Sequence, residues 1–164
     1  MCLDNDKTMT SIASYTSREI RTIEVPVLPY VAKVMRRLYG NGVIHACHNT
    51  LRGKAIASLF ADLPDELPFP ERPLHTEKVQ VELNYRVARI YSKWSLNKAV
   101  ELGLYYEKVV QRMMLSHIVA QVRCGRTIVA SIDDFFIIYS IDEDDYPREV
   151  ALNLYEYYRK QFRL

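Results

Sequence analysis

The chain has 164 residues, 49% of them apolar and 26% charged, with a net charge of +2. That length buries a core without disulfide or metal staples, and the composition is that of a globular protein rather than a disordered or fibrous one. The charge is too small to imply nucleic acid or an anionic membrane unless cations cluster locally.

No apolar run approaches the roughly 18 residues that a membrane-spanning helix needs. Residues 1–17 are polar, include Asp4 and Asp6, and lack the basic-then-apolar pattern of a signal peptide. They read as a disordered tail ahead of a single α+β domain over 18–164. Cys2, Cys47 and Cys124 are odd in number and widely spaced, which is no disulfide framework. A reducing, cytoplasmic setting follows, with Cys47 and Cys124 expected as buried, inert thiols.

Ordered structure is expected to start near Arg18. Residues 19–25 interleave polar and apolar side chains and predict a strand, closed by Pro26 and Pro29. A helix follows over 29–39. Pro29 suits its first turn, Val31, Val34, Met35 and Leu38 form its apolar stripe, and Gly40-Asn41-Gly42 stops it. Residues 43–46 make a short strand. A second helix runs over 50/51–61, capped by Asn49 or Thr50 and burying Ile56, Leu59 and Phe60. Arg52 and Lys54 near its start oppose the helix dipole. Residues 62–75 hold Pro64, Pro68, Pro70 and Pro73 and predict an extended loop.

Residues 76–91 alternate for longer than any other stretch. Val79, Val81, Leu83, Tyr85 and Val87 share one face; Lys78, Gln80, Glu82, Asn84 and Arg86 share the other. This is one long strand, or a hairpin turning near Asn84, able to pair with the strand around Ile23. Ser95 caps a long helix to Cys124, with Gly125 past its end. Its expected buried stripe is Ala99, Leu102, Tyr106, Val109, Val110, Met113, His117, Ala120 and Cys124. Ser131, with Asp134 three residues on, caps a short helix carrying Ile132, Phe135, Phe136 and Tyr139. After an acidic turn, Pro147 opens a last helix that buries Ala151, Leu154, Tyr158 and Phe162. The fold class expected is α+β: a small antiparallel sheet with a mostly helical C-terminal half.

Four groups of residues bear on chemistry. His45, Cys47 and His48 are metal-ligand types within four positions, but no second pair accompanies them, and a strand puts His48 on the opposite face from the other two. Cys124 and His117 lie about 10 Å apart along a helix, too far for a nucleophile pair. Neither a metal, a cofactor nor a catalytic residue is therefore assigned. The acids Asp142, Glu143, Asp144 and Asp145 favour the dipole of the helix after them, and are the first candidates for contact with a protein partner. The cations Arg36, Arg37, Arg52, Lys54, Arg86, Arg89 and Lys93 are candidates for nucleic-acid binding if the fold gathers them, with Tyr30, Tyr39, Tyr85 or Tyr91 stacking on bases. The last two helices outline a helix-turn-helix, though its recognition helix would open with carboxylates facing phosphate.

The pattern Ile132-Asp133-Asp134-Phe135-Phe136, Tyr139, Ile141-Asp142-Glu143-Asp144-Asp145 and Tyr157-Tyr158-Arg159-Lys160 resembles small uncharacterised proteins of Bacteroidetes phages and mobile elements. The likeness covers the last quarter of the chain and extends to the helix near Val31. It implies an accessory or regulatory role in a mobile element, with DNA nearby, and supplies no catalytic residue. Two functions are expected on these grounds. One is a DNA-associated accessory or regulatory protein using the Arg/Lys face. The other is a non-catalytic protein-interaction module or homo-oligomer using the acidic turn and the Pro-rich loop.

Overall fold

The computed structural model describes residues 21–40, 43–46, 50–61, 75–84 and 96–162. Among these, three strands and five helices alternate at first and then run purely helical. They are β1 (Arg21–Val27), α1 (Pro29–Tyr39), β2 (Ile44–Ala46), α2 (Leu51–Ala61), β3 (Glu77–Leu83), α3 (Leu96–Arg123), α4 (Ile128–Tyr139) and α5 (Arg148–Phe162). The class is α+β. The tail at 1–17 and the Pro-rich segment at 62–74 lie outside the described residues, as does 85–95, where the alternation of β3 was expected to continue.

The sheet has the order β1-β3-β2. β1 runs antiparallel to β3, with Ile23 opposite Val81 and Val25 opposite Val79. β2 runs parallel to β3, with Ile44 beside Val81 and Ala46 beside Leu83. The sheet is thus mixed, not antiparallel throughout. A parallel neighbour requires a crossover, and α2 lies in the connection that makes it. β1 also runs through Pro26, which was expected to end it. Among the described residues β1 is an edge strand bonded on one side only, so alternate residues need no N–H.

Period-two patterning makes the sheet one-sided. Ile23, Val25, Val27, Ile44, Ala46, Val79, Val81 and Leu83 are buried on one face. Thr22, Glu24, His45, Lys78 and Gln80 are exposed on the other. Lys78 Nζ reaches Glu24 Oε2 at 2.7 Å and His45 Nδ1 lies 3.0 Å from Glu82 Oε1 across that open face. The buried face packs against α1 and α3. α3 comes close enough to β1 that a Cβ on Gly103 would overlap the Pro26 carbonyl oxygen.

The helices begin and end for local reasons. Pro29 occupies the first turn of α1, and Gly40 ends it at φ 70°. Thr50 Oγ1 accepts the Gly53 N–H at 3.0 Å and so caps α2. Thr127, not Ser131, caps α4: its Oγ1 accepts the Ala130 N–H at 3.2 Å. Ser131 is fully buried instead, its hydroxyl donating to the Thr127 carbonyl at 2.8 Å. One core joins all of this. It runs from Ile23 and Val25 through Tyr30, Leu102, Tyr106 and Ile118 to Phe135, Tyr146 and Tyr155.

Along α3 the buried line is Ala99, Leu102, Tyr106, Val110, Met114 and Ile118. Ala120 and Cys124, expected on that line, are exposed, and His117 is half-buried. Steps of four residues drift by about 40° each. The buried side therefore rotates as α3 passes from the sheet, which it covers first, to α4.

Candidate interaction surface

The acidic turn is built inward. The Asp145 and Tyr146 N–H groups both donate to the Asp142 carbonyl at 3.1 Å. Asp145 Oδ2 accepts the Asp142 N–H at 3.0 Å, which closes the turn reciprocally. Lys33, from α1, bridges Asp142 at 2.6 Å and Asp145 at 2.5 Å. Its hydrogen bonds to Asp142 and Asp145 raise the Lys33 pKa. Partial burial pushes Asp145 upward, but the Lys33 and Asp142 hydrogen bonds outweigh that and hold its carboxyl below the usual range. Glu143 accepts the Arg148 N–H at 2.9 Å and supports the start of α5, and Arg148 Nε reaches Asp133 at 2.5 Å. Three of the four acids are thereby committed to holding α1, α4 and α5 together. Asp144 is exposed and makes no such contact among the described residues.

The candidate nucleic-acid residues divide differently. Arg36 Nη2 pairs with Glu77 Oε2 at 2.7 Å, bringing α1 to β3. Arg37 and Lys54 are exposed and form no ion pair among the described residues. The Arg52 side chain and residues Arg86, Arg89 and Lys93 lie outside those described, as do Tyr85 and Tyr91. Tyr30 is no stacking platform: it is 2% exposed, with its ring centroid 4.4 Å from that of Tyr146. Burial first, and then the Glu107 charge, raise both phenols, Tyr146 to about 12. His45 faces solvent on the open sheet face, whereas Cys47 and His48 lie outside the described residues. Cys124 is exposed rather than buried. His117 Nε2 lies 3.1 Å from Asp134 Oδ2, close enough for an ion pair but without hydrogen-bond alignment, and its ring packs on Phe135.

A surface that the sequence pattern did not single out lies on the C-terminal helices. Between α3 and α5 a groove of about 320 Å³ is lined by Leu115, Val119, Tyr155 and Tyr158, with Arg112 and Ser116 at its edge. Leu115 and Tyr155 form its buried floor. Beside it on α5, Val150 and Tyr157 face outward, whereas Leu154 between them is half-buried and packs on the core. Val150 and Tyr157 are exposed, the latter by 57%. Tyr157 meets Tyr158 edge-on at 5.7 Å, joining that side of α5 to the groove. On α4, Ile137 is 77% exposed and Val129 and Ile138 are exposed as well.

The side of α3 that carries Arg112 into the groove is cationic along its length. Lys108, Arg112 and Arg123 recur with Ser116 and Val119 at steps of four, four, three and four, which places all five on one side of α3. The three cations are exposed and have no ion-pair partner among the described residues. A signal for them is visible in the chain: from Lys108 to Ile132 there is no Asp or Glu.

The fold and this surface define an α+β protein with a helical, apolar-grooved C-terminal half, in which no described helix is long and apolar enough to cross a membrane. No protein-family model, curated protein or solved structure matches the chain.

Proposed function

We propose that the protein is an interaction module, working by binding another protein on α3, α4 and α5. The supporting observation is an open apolar groove between α3 and α5, with Val150 and Tyr157 exposed on α5 and Ile137 and Ile138 exposed on α4. Large apolar side chains scattered singly are ordinary on a surface; an open apolar groove marks a contact site. The acidic turn supports this role indirectly, by fixing α5 against α1 and α4 through Lys33 and Arg148. The accessory role implied by the C-terminal resemblance fits a module of this kind. The DNA-associated reading has less support: of its candidates Arg36 is held by Glu77, and only Arg37 and Lys54 are exposed and without an ion pair among the described residues.

A photo-crosslinking residue placed at Ile137 or Tyr157, in cells that make the protein, tests the proposal. A discrete protein adduct at those positions, and none at Asp144, is expected. Equal labelling at all three, or none, removes it.

A further inference from the structure

We infer that the groove between α3 and α5 receives an acidic amphipathic helix of a partner protein. The apolar face of that helix lies on Leu115, Val119, Tyr155 and Tyr158, and its carboxylates meet Lys108, Arg112 and Arg123. This deepens the interaction-module reading and rests on it.

Length sets the kind of occupant. Lys108 and Arg123 are fifteen residues apart, about 22 Å along a helix. A small molecule held in the groove would engage Arg112 and leave the other two cations idle. A helix of four turns laid along α3 meets all three. Charge sets its sign: the three cations are exposed and unpaired among the described residues, with no acid in the chain between Lys108 and Ile132. Carboxylates spaced at three and four residues match that stripe, and the planar guanidinium of Arg112 binds a carboxylate through two parallel hydrogen bonds. The chemistry of the floor separates a protein helix from single-stranded nucleic acid. Bases stack on open ring faces. Here Tyr155 is 5% exposed and Tyr158 is half-buried against the core, the open ring of Tyr157 lies beside the lining rather than in it, and Val119 supplies aliphatic surface. Such a floor suits the leucine and valine side chains of a helix seated in a groove. A second copy of the chain is a poorer match, since the acids of its one described acidic turn are mostly engaged with Lys33 and Arg148.

The test uses the full chain and three probes: an 18-residue helical peptide with a leucine stripe and glutamates elsewhere, the same peptide with lysines for glutamates, and an 18-nucleotide oligo-dT. Amide shifts read by NMR locate binding, and fluorescence anisotropy measures it. The glutamate peptide is expected to shift residues 108–123 and 155–158. Its affinity should fall on the order of tenfold in Arg112→Glu and stay unchanged in Arg37→Glu. Arg112→Gln, a milder change, should weaken binding in the same direction, and Ser116→Glu, at an exposed position of the groove, should abolish it while leaving thermal unfolding close to that of the parent. Equal binding of the lysine peptide overturns the inference, as does a shift map lying elsewhere. Preferential binding of oligo-dT to the same residues gives the groove to nucleic acid instead. Self-association that Arg112→Glu abolishes gives it to a second copy. A discrete crosslink at Ile137 or Tyr157 without any binding of the glutamate peptide leaves the module standing and removes the acidic-helix partner.

Discussion

Gly103 sits where α3 crosses the edge strand, and two effects of opposite sign meet there. An alanine favours a helix interior by about 1 kcal/mol over glycine. Its methyl group, however, would overlap the backbone carbonyl of Pro26, which cannot rotate away as a side-chain tip can. Overpacking of this kind costs about 3 kcal/mol, so the clash wins. Gly103→Ala is expected to lower the urea midpoint without altering the far-UV spectrum, and an unchanged midpoint would mean that α3 stands off the sheet. Lys33 has the opposite character. It is partly exposed and its two ion pairs are solvent-screened, so Lys33→Ala should cost only about 1 kcal/mol in the same measurement.

Two helices end by the same device with different residues. At the end of α3 the Arg126 N–H donates to the Gln121 carbonyl at 3.1 Å and Gly125 takes φ 88°. At the end of α4 the Ile141 N–H donates to the Phe136 carbonyl at 2.9 Å and Ser140 takes φ 54°. This is the left-handed cap that glycine adopts freely and serine does not. Ser140→Gly should therefore stabilise by up to about 1 kcal/mol, and Gly125→Ala should destabilise by a similar amount, both read as shifts in thermal midpoint. The element boundaries were legible in the chain wherever such local signals stand alone. Pro29 and Gly40-Asn41-Gly42 delimit α1, and the alternation over Val79, Val81 and Leu83 gives β3 its buried face. They were illegible where tertiary placement decides. Nothing near Pro26 says that β1 lies at an edge, and the drift of the buried line on α3 depends on which partner it meets along its length. Ser131 looked like a cap because it precedes an acid at the right distance, yet Thr127 four residues earlier fills that role and Ser131 goes into the core.

Across the whole molecule, titration brackets the stable range. Asp145 is held below its ordinary value, so its contribution is present above about pH 4 and fades as pH falls through its lowered pKa. Tyr30, Tyr146 and Lys33 are raised. Their contributions are intact below about pH 10 and are lost as pH climbs beyond it, through about 12 for Tyr146. The thermal midpoint should be flat between these limits as far as these four groups are concerned. Absorbance at 295 nm should show Tyr30 and Tyr146 ionising late among the 12 tyrosines, together with unfolding. Two tyrosines that ionise early, with the fold intact, would contradict their burial. The candidate surface was less legible than the fold. The cations singled out in the sequence were those on the N-terminal half, where Arg36 proves to be spoken for. The acid-free stretch after Lys108 passed as an ordinary helix, because only the position of α5 turns one side of it into the wall of a groove.

The burial of β1 also orders events in time. Its hydrogen-bonding partner β3 lies about fifty to sixty positions downstream, and Gly103 of its helical cover later still. On the ribosome, β1 must wait in the open until that cover has been made. Arrested nascent chains that expose β1 and β3 but not α3 should thus be cut readily by protease within 21–27, and chains long enough to release all of α3 should resist. Synthesis at about 5–20 residues per second makes that interval several seconds, during which an unpaired apolar strand is available to chaperones or to its own kind.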